Sequence, residues 1–171
     1  MLNFSSIFGV TLPLVVVIAG TLKANALTIT QLSDQNVKNG FAITACVDVG
    51  GASTANGTKV GPFPCNNQFN EQWIYLNGQF LGLGTCCGNG TFPGASTCLS
   101  VHDNSINAGS LVELDACVIR NSTQLWEPRY DGSIINMGAN KCLDSQGQIG
   151  GGFQLVINTC NGSAGQKWNL K

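Results

Sequence analysis

Residues 159–168 read TCNGSAGQKW, in which a cysteine stands eight positions before a tryptophan and a glutamine two before it. The arrangement occurs twice earlier. In CVIRNSTQLW, Cys117 precedes Trp126 by nine, with Gln124 two before the tryptophan; in CNNQFNEQW, Cys65 and Trp73 are eight apart and Glu71 holds the glutamine's place. Each copy also has an upstream cysteine: Cys46, Cys98 and Cys142 precede their partners by 19, 19 and 18 residues, and the tryptophans by 27, 28 and 26. Self-similarity at a fixed period marks an internal threefold repeat.

The repeat unit reads as β-structure. Alternating stretches at residues 41–47 and 112–118 have the period of half-buried strands, and from residue 27 onward no segment sustains a helical period. Asn77-Gly78 and Asp131-Gly132 each follow a tryptophan within six residues, and such pairs favour two-residue hairpin turns. A unit of 40 to 50 residues buries no core alone, and three copies are too few for a propeller of four or more blades. Closing three hairpin-bearing units around an axis removes sheet edges and brings one tryptophan per unit, Trp73, Trp126 and Trp168, to a shared core. The expected fold is therefore an all-β trefoil, with the glutamine before each tryptophan holding a turn through backbone bonds.

The first 26 residues have the layout of a secretory leader: an apolar run from Ile7 to about Ala19, then Ala24-Asn25-Ala26 as a cleavage site. The run is shorter than the roughly 20 apolar residues of a membrane span and contains Pro13. Residues 27–171 form one domain, about 145 residues with seven Lys and Arg against nine Asp and Glu, a net charge of −2. That balance attracts neither nucleic acid nor anionic lipid. All eight cysteines lie in this part, and export to an oxidising compartment makes disulfides the default over metal binding, since His102 is the single histidine and there is no CxxC pair. The matched spacings pair Cys46 with Cys65, Cys98 with Cys117 and Cys142 with Cys160. Cys86 and Cys87 are left, and with the other six paired a vicinal bridge is the expectation, free thiols and an interchain bridge being the alternatives. Sequons at Asn56, Asn89, Asn121 and Asn161 mark exposed loops that a eukaryotic host would glycosylate.

Gln124-Leu-Trp126 and Gln166-Lys-Trp168, with CVDV at 46–49 and CLDS at 142–145, resemble the ricin B-type lectin family, and the likeness runs from about Gly40 to Leu170. The resemblance implies a secreted β-trefoil that binds galactose- or N-acetylgalactosamine-type sugars in shallow pockets, up to one per repeat, without metal or other cofactor. Its partners would be glycans or glycoproteins, and a homodimer is one way to multiply weak sites. In that family an Asp two residues after the first cysteine, an aromatic two before the second and an Asn directly before the glutamine hold the sugar. The chemistry fits: a carboxylate accepts from paired hydroxyls, an aromatic face supports the apolar side of the ring, and an amide fixes its orientation.

In the first repeat these positions hold Asp48, Phe63 and Asn70, with Glu71 in place of the family glutamine. The second repeat has Ser100, Asp115 and Thr123, and reads as structural. The third keeps Asp144 and Gln166 but has Asn158 and Gly165 in the other places, which reads as a weak second site. With His102 on a turn, no G-x-S-x-G and scattered carboxylates, no catalytic set assembles and the chain is not expected to be an enzyme. The competing reading is a secreted β-trefoil that has lost sugar binding and acts by protein contacts, as an inhibitor or effector.

Overall fold

A computed structural model describes residues 26–31, 37–38, 41–42, 44–83 and 97–171. The leader up to Asn25, Asn89, and Cys86 and Cys87 lie outside the described residues. The strands are β1 (Leu27–Gln31), β2 (Val37–Lys38), β3 (Phe41–Ala42), β4 (Ala45–Val49), β5 (Thr58–Pro64), β6 (Gln72–Leu76), β7 (Gln79–Leu81), β8 (Thr97–Val101), β9 (Ser110–Ala116), β10 (Trp126–Pro128), β11 (Ile134–Asn136), β12 (Lys141–Asp144), β13 (Val156–Asn158) and β14 (Trp168–Leu170). One-turn 3-10 segments at 50–52, 69–71, 102–104, 122–124 and 164–166 recur at matching places in the repeats. No α-helix occurs among the described residues.

The strands pair antiparallel in the order β9-β5-β4-β1-β6-β7-β8, and β8 pairs back to β9, so this part of the sheet closes on itself. From β9 the order runs on through β13, β12, β11 and β10, while β14 pairs with β1. Closure leaves the ring of strands without a free edge. The core holds Trp73, Trp126 and Trp168 among Ile29, Val47, Val60, Phe80, Leu99, Leu114, Leu143 and Ile157. The architecture is the expected β-trefoil.

The threefold spacing has a direct hydrogen-bond origin. Each indole N–H donates to the carbonyl of the residue after its repeat's first cysteine: Trp73 to Val47 at 3.0 Å, Trp126 to Leu99 at 2.9 Å and Trp168 to Leu143 at 3.0 Å. A buried indole without an acceptor is costly, so the distance from cysteine to tryptophan is constrained. The bridges Cys46–Cys65, Cys98–Cys117 and Cys142–Cys160 form within repeats, with Cα separations of 5.0, 5.0 and 5.1 Å. Gln124 clamps the second cysteine from both sides, accepting from Val118 N at 2.8 Å and donating to Ala116 O at 2.9 Å. Gln166 does the same with Asn161 N at 2.9 Å and Thr159 O at 3.0 Å.

The two hairpin signals resolve differently. Asn77-Gly78 forms a two-residue turn between Leu76 and Gln79, with φ of 51° and 81°. Asp131-Gly132 instead lies in a three-residue loop closed by Arg129 and Ser133, whose Arg129 N–H reaches Ser133 O at 2.8 Å. Here Asp131 Oδ1 accepts from both Ser133 N and Ser133 Oγ, which fixes the longer loop and leaves Gly132 alone at positive φ, 86°. Gly78 O and Gly132 O each accept the backbone N–H of the next repeat's tryptophan at 2.7 Å, so the turns also join repeats. The strand expected over 112–118 stops at Ala116, because Cys117 turns into the disulfide loop.

Candidate functional site

Pairing of β4 with β5 sets Cys46 opposite Phe63 and Asp48 opposite Gly61. Directly opposed residues share a sheet face, so Asp48 and Phe63 are diagonal neighbours, within about 7–8 Å at the backbone. The 3-10 turn 69–71 then carries Asn70 over this face, where its Nδ2 donates to Asp48 Oδ2 at 2.7 Å and to Val49 O at 3.1 Å. The three first-repeat residues therefore converge. Asn70 spends both amide protons on the protein, which leaves its Oδ1 as the group that can accept from a ligand.

A wall of this site comes from a repeat nearly ninety positions away. Gly150 N donates to Pro62 O at 2.7 Å and Leu155 N to Val60 O at 2.9 Å, laying residues 150–155 along β5. A side chain on Gly61 would put its Cβ 2.5 Å from Phe153 O, and one on Gly151 would stand 3.5 Å from the Phe63 ring. Phe153 itself is 45% exposed beside this shelf. The sequence marks residues 150–153 only by the run Gly150-Gly151-Gly152 before an aromatic.

Glu71, in the glutamine position, does not reproduce the clamp of the other repeats. An ionised carboxylate only accepts, and its oxygens take Asn66 N at 3.0 and 3.1 Å and Asn67 N at 2.9 Å, with Asn67 at φ 61°. Glu71 is buried, at 1% exposure. Burial of Asp48, reinforced by the Glu71 charge and only partly offset by the Asn70 hydrogen bond, pushes the Asp48 carboxyl up to about 6.

The other repeats are built differently. In the third, Asp144 Oδ1 accepts from Gln146 N at 2.6 Å, and Oδ2 accepts from Asn158 Nδ2 and Gln166 Nε2, both at 3.1 Å. Asp144 is a structural junction here, with no aromatic beside it at the Asn158 position. In the second, Ser100 is buried opposite Glu113, and His102 Nδ1 lies 2.8 Å from Glu113 Oε2. That contact, first by hydrogen bonding and then by charge, raises the His102 pKa, so His102 is a tethered turn residue and not simply a solvated one. Thr123 Oγ1 is held by Asn104 Oδ1 at 2.6 Å, and Asp115 Oδ1 accepts from Gly57 N at 3.0 Å. Among the described residues no group of three or more His, Cys, Asp or Glu is placed to hold a metal ion.

Residues 33–168 match the family model described as the ricin-type beta-trefoil lectin domain, and the chain belongs to that family. A seed lectin of Trichosanthes anguina is 24% identical over 126 residues; the match spans 73% of this chain but only 22% of that protein. Among solved structures, an agglutinin from Abrus precatorius superposes with a TM-score of 0.65 at 18% identity, over 85% of this chain and 48% of that one. A non-toxic homologue of type II RIPs from Momordica charantia, solved in complex with α-methyl-D-galactoside, gives 0.61 at 23% identity, over 86% and 48%. This chain thus spans under half the length of each of these relatives.

Proposed function

We propose that the protein is a secreted, non-catalytic lectin that recognises galactose- or N-acetylgalactosamine-type glycans through the first repeat. The observation that carries this reading is the convergence of Asp48, Phe63 and Asn70 on one sheet face, in a family of lectins. Asp48 accepts from two adjacent sugar hydroxyls, Phe63 lies under the apolar ring face, and Asn70 Oδ1 accepts from a third hydroxyl. Family membership and the three intrachain disulfides support carbohydrate binding outside the cell. A glycan array probed with the disulfide-intact protein tests this: selective signal on terminal galactose-type glycans is expected, and an array blank at every sugar would overturn it.

The interaction-protein reading draws on one observation: Asp144 and the second-repeat polar groups are satisfied internally, so at most one of three repeats keeps a sugar-ready surface. A blank array together with a tight protein partner would move the function there.

A further inference from the structure

Repeats one and three present the same aspartate with opposite electrostatic support. In the third, Gln166 Nε2 gives Asp144 a hydrogen bond at 3.1 Å while its Oε1 holds Asn161 N. In the first, the equivalent Glu71 has no proton to give when ionised. It is turned onto the backbone amides of Asn66 and Asn67, so a second buried carboxylate directly follows Asn70, the residue bonded to Asp48. One donor has been exchanged for one negative charge.

Among the described residues no cation offsets this. On β4 itself Asp48 is the one ionisable group, and β1 and the turn 50–52 carry none. The loop 65–68 and the third-repeat segment 150–154 add no charge either. From β5, Lys59 lies on the same face but is exposed and forms no ion pair with Asp48. From the turn 69–71 comes Glu71. Protonating Asp48 therefore relieves a like-charge contact in a desolvated site, and it also converts an oxygen that accepts from sugar hydroxyls into a donor.

We propose that Glu71, standing where the other two repeats carry glutamine, makes ligand binding by the first repeat depend on ionisation of Asp48, so that the site holds its sugar at neutral pH and releases it on mild acidification. The inference rests on the lectin reading of that site. Glu71 is a positioning residue in it: buried, and next in the chain to the Asn70 that bonds Asp48, it acts on the ligand through the charge state of Asp48. A sugar taken up with its carrier into an acidifying compartment, or met at an acidic surface, would be let go near the pH at which Asp48 takes its proton.

The test uses the full disulfide-intact protein, with methyl galactoside as the probe, titrated calorimetrically between pH 7.5 and 5. If only the ionised form binds and Asp48 titrates near 6, affinity at pH 5 falls about tenfold. Glu71→Gln, which installs the residue already accepted by the same fold at positions 124 and 166, should move the midpoint to lower pH. A wild-type affinity that stays flat over this range, or an identical profile in Glu71→Gln, overturns the proposal. In parallel, the Asp48 carboxyl is followed by carbon NMR in both proteins without ligand. If no sugar binds at any pH the lectin reading fails, yet the Asp48 titration still decides the carboxylate pair: an equal midpoint in both proteins removes it, and a lowered one in the variant upholds it.

Discussion

Asn70 donates a 2.7 Å hydrogen bond to Asp48, which ties the turn before Trp73 to the strand that follows the first cysteine of the same repeat. The bond orients a carboxylate that is otherwise disfavoured by burial, and it does so on the sheet face that Asp48 shares with Phe63. Truncating Asp48 or Phe63 to alanine should therefore cost about 1–3 kcal/mol of sugar binding, against a monosaccharide affinity on the order of −4 kcal/mol, millimolar. Circular dichroism of both variants should stay close to wild type, because neither side chain belongs to the tryptophan cluster. Asp144→Ala should leave that affinity nearly unchanged but lower stability, since Asp144 joins Gln146, Asn158 and Gln166. Titration calorimetry that assigned the binding loss to Asp144 alone would relocate the site.

The carboxylate pair has a stability consequence opposite in sign to its effect on binding. The Asp48 pKa in the folded protein, about 6, lies above its ordinary value of 3.8. The stability linked to its proton is thus fully present below about 3.8 and is lost as pH rises through about 6. Asp131 acts the other way: Ser133 and then Lys167 hold its carboxylate below the usual range, so its contribution is lost only as pH falls below about 4. His102, raised by Glu113, shares the sign of Asp48 but remains in any Glu71 variant. The expected result is that Glu71→Gln raises the melting temperature at pH 7 by about 2–6 °C and that the gain shrinks at pH 5. A variant that gained nothing at pH 7 would show that the backbone bonds of Glu71 outweigh its repulsion of Asp48.

Gly61 is required by a neighbour from another repeat. A Cβ there would approach Phe153 O to 2.5 Å, and that oxygen belongs to backbone fixed by the Gly150 to Pro62 and Leu155 to Val60 hydrogen bonds. Gly61→Ala should cost about 1–3 kcal/mol in urea denaturation and weaken sugar binding as residues 150–153 shift against Phe63. Unchanged stability would mean that the loop yields freely.

Much of this architecture was legible in the chain because its strongest constraints are local and repeated. The indole of each tryptophan must meet one particular carbonyl, and each disulfide must close one loop, so both left fixed intervals in the sequence. The grouping of Asp48, Phe63 and Asn70 is what the resemblance to the ricin B-type lectins implies, with the family's site positions counted from the same cysteines and glutamine. Contacts between repeats left no such trace. Nothing near Phe63 in sequence announces Gly151, and nothing near Ser100 announces that Glu113 is half of a pair with His102. The Asp131 loop is one residue longer than its dipeptide implies because Ser133 N and Oγ donate to Asp131 Oδ1, a choice the dipeptide alone does not specify. Asp144 has the family's residue in the family's place, yet the three bonds that occupy it become visible only when Gln146, Asn158 and Gln166 are placed around it.

The third repeat offers the sharpest test of what separates a site from its remnant. Replacing Gly165 by asparagine restores the family amide beside Gln166, and sequence comparison alone would expect a stronger sugar site. Geometry argues against it. A Cβ at position 165 would lie 2.6 Å from Asp144 Oδ1 and 2.9 and 3.1 Å from the backbone nitrogens of Gly147 and Gln146. Two of these atoms are backbone, and the carboxylate oxygen is held by Gln146 N at 2.6 Å, so none swings away as the end of a long side chain would. The turn 145–148 has closed onto the glycine, and opening it means breaking the Gln146 to Asp144 bond together with Ser145 N to Gly165 O at 3.0 Å. Gly165→Asn is therefore expected to destabilise the protein by about 1–3 kcal/mol and to add no second binding event, with one site per chain still seen by titration. Adding Asn158→Phe, which supplies the missing ring but also removes a donor to Asp144, should lower stability further without binding. A double variant that bound two sugars per chain at wild-type stability would show that the third repeat lacks only its side chains and not the space for them.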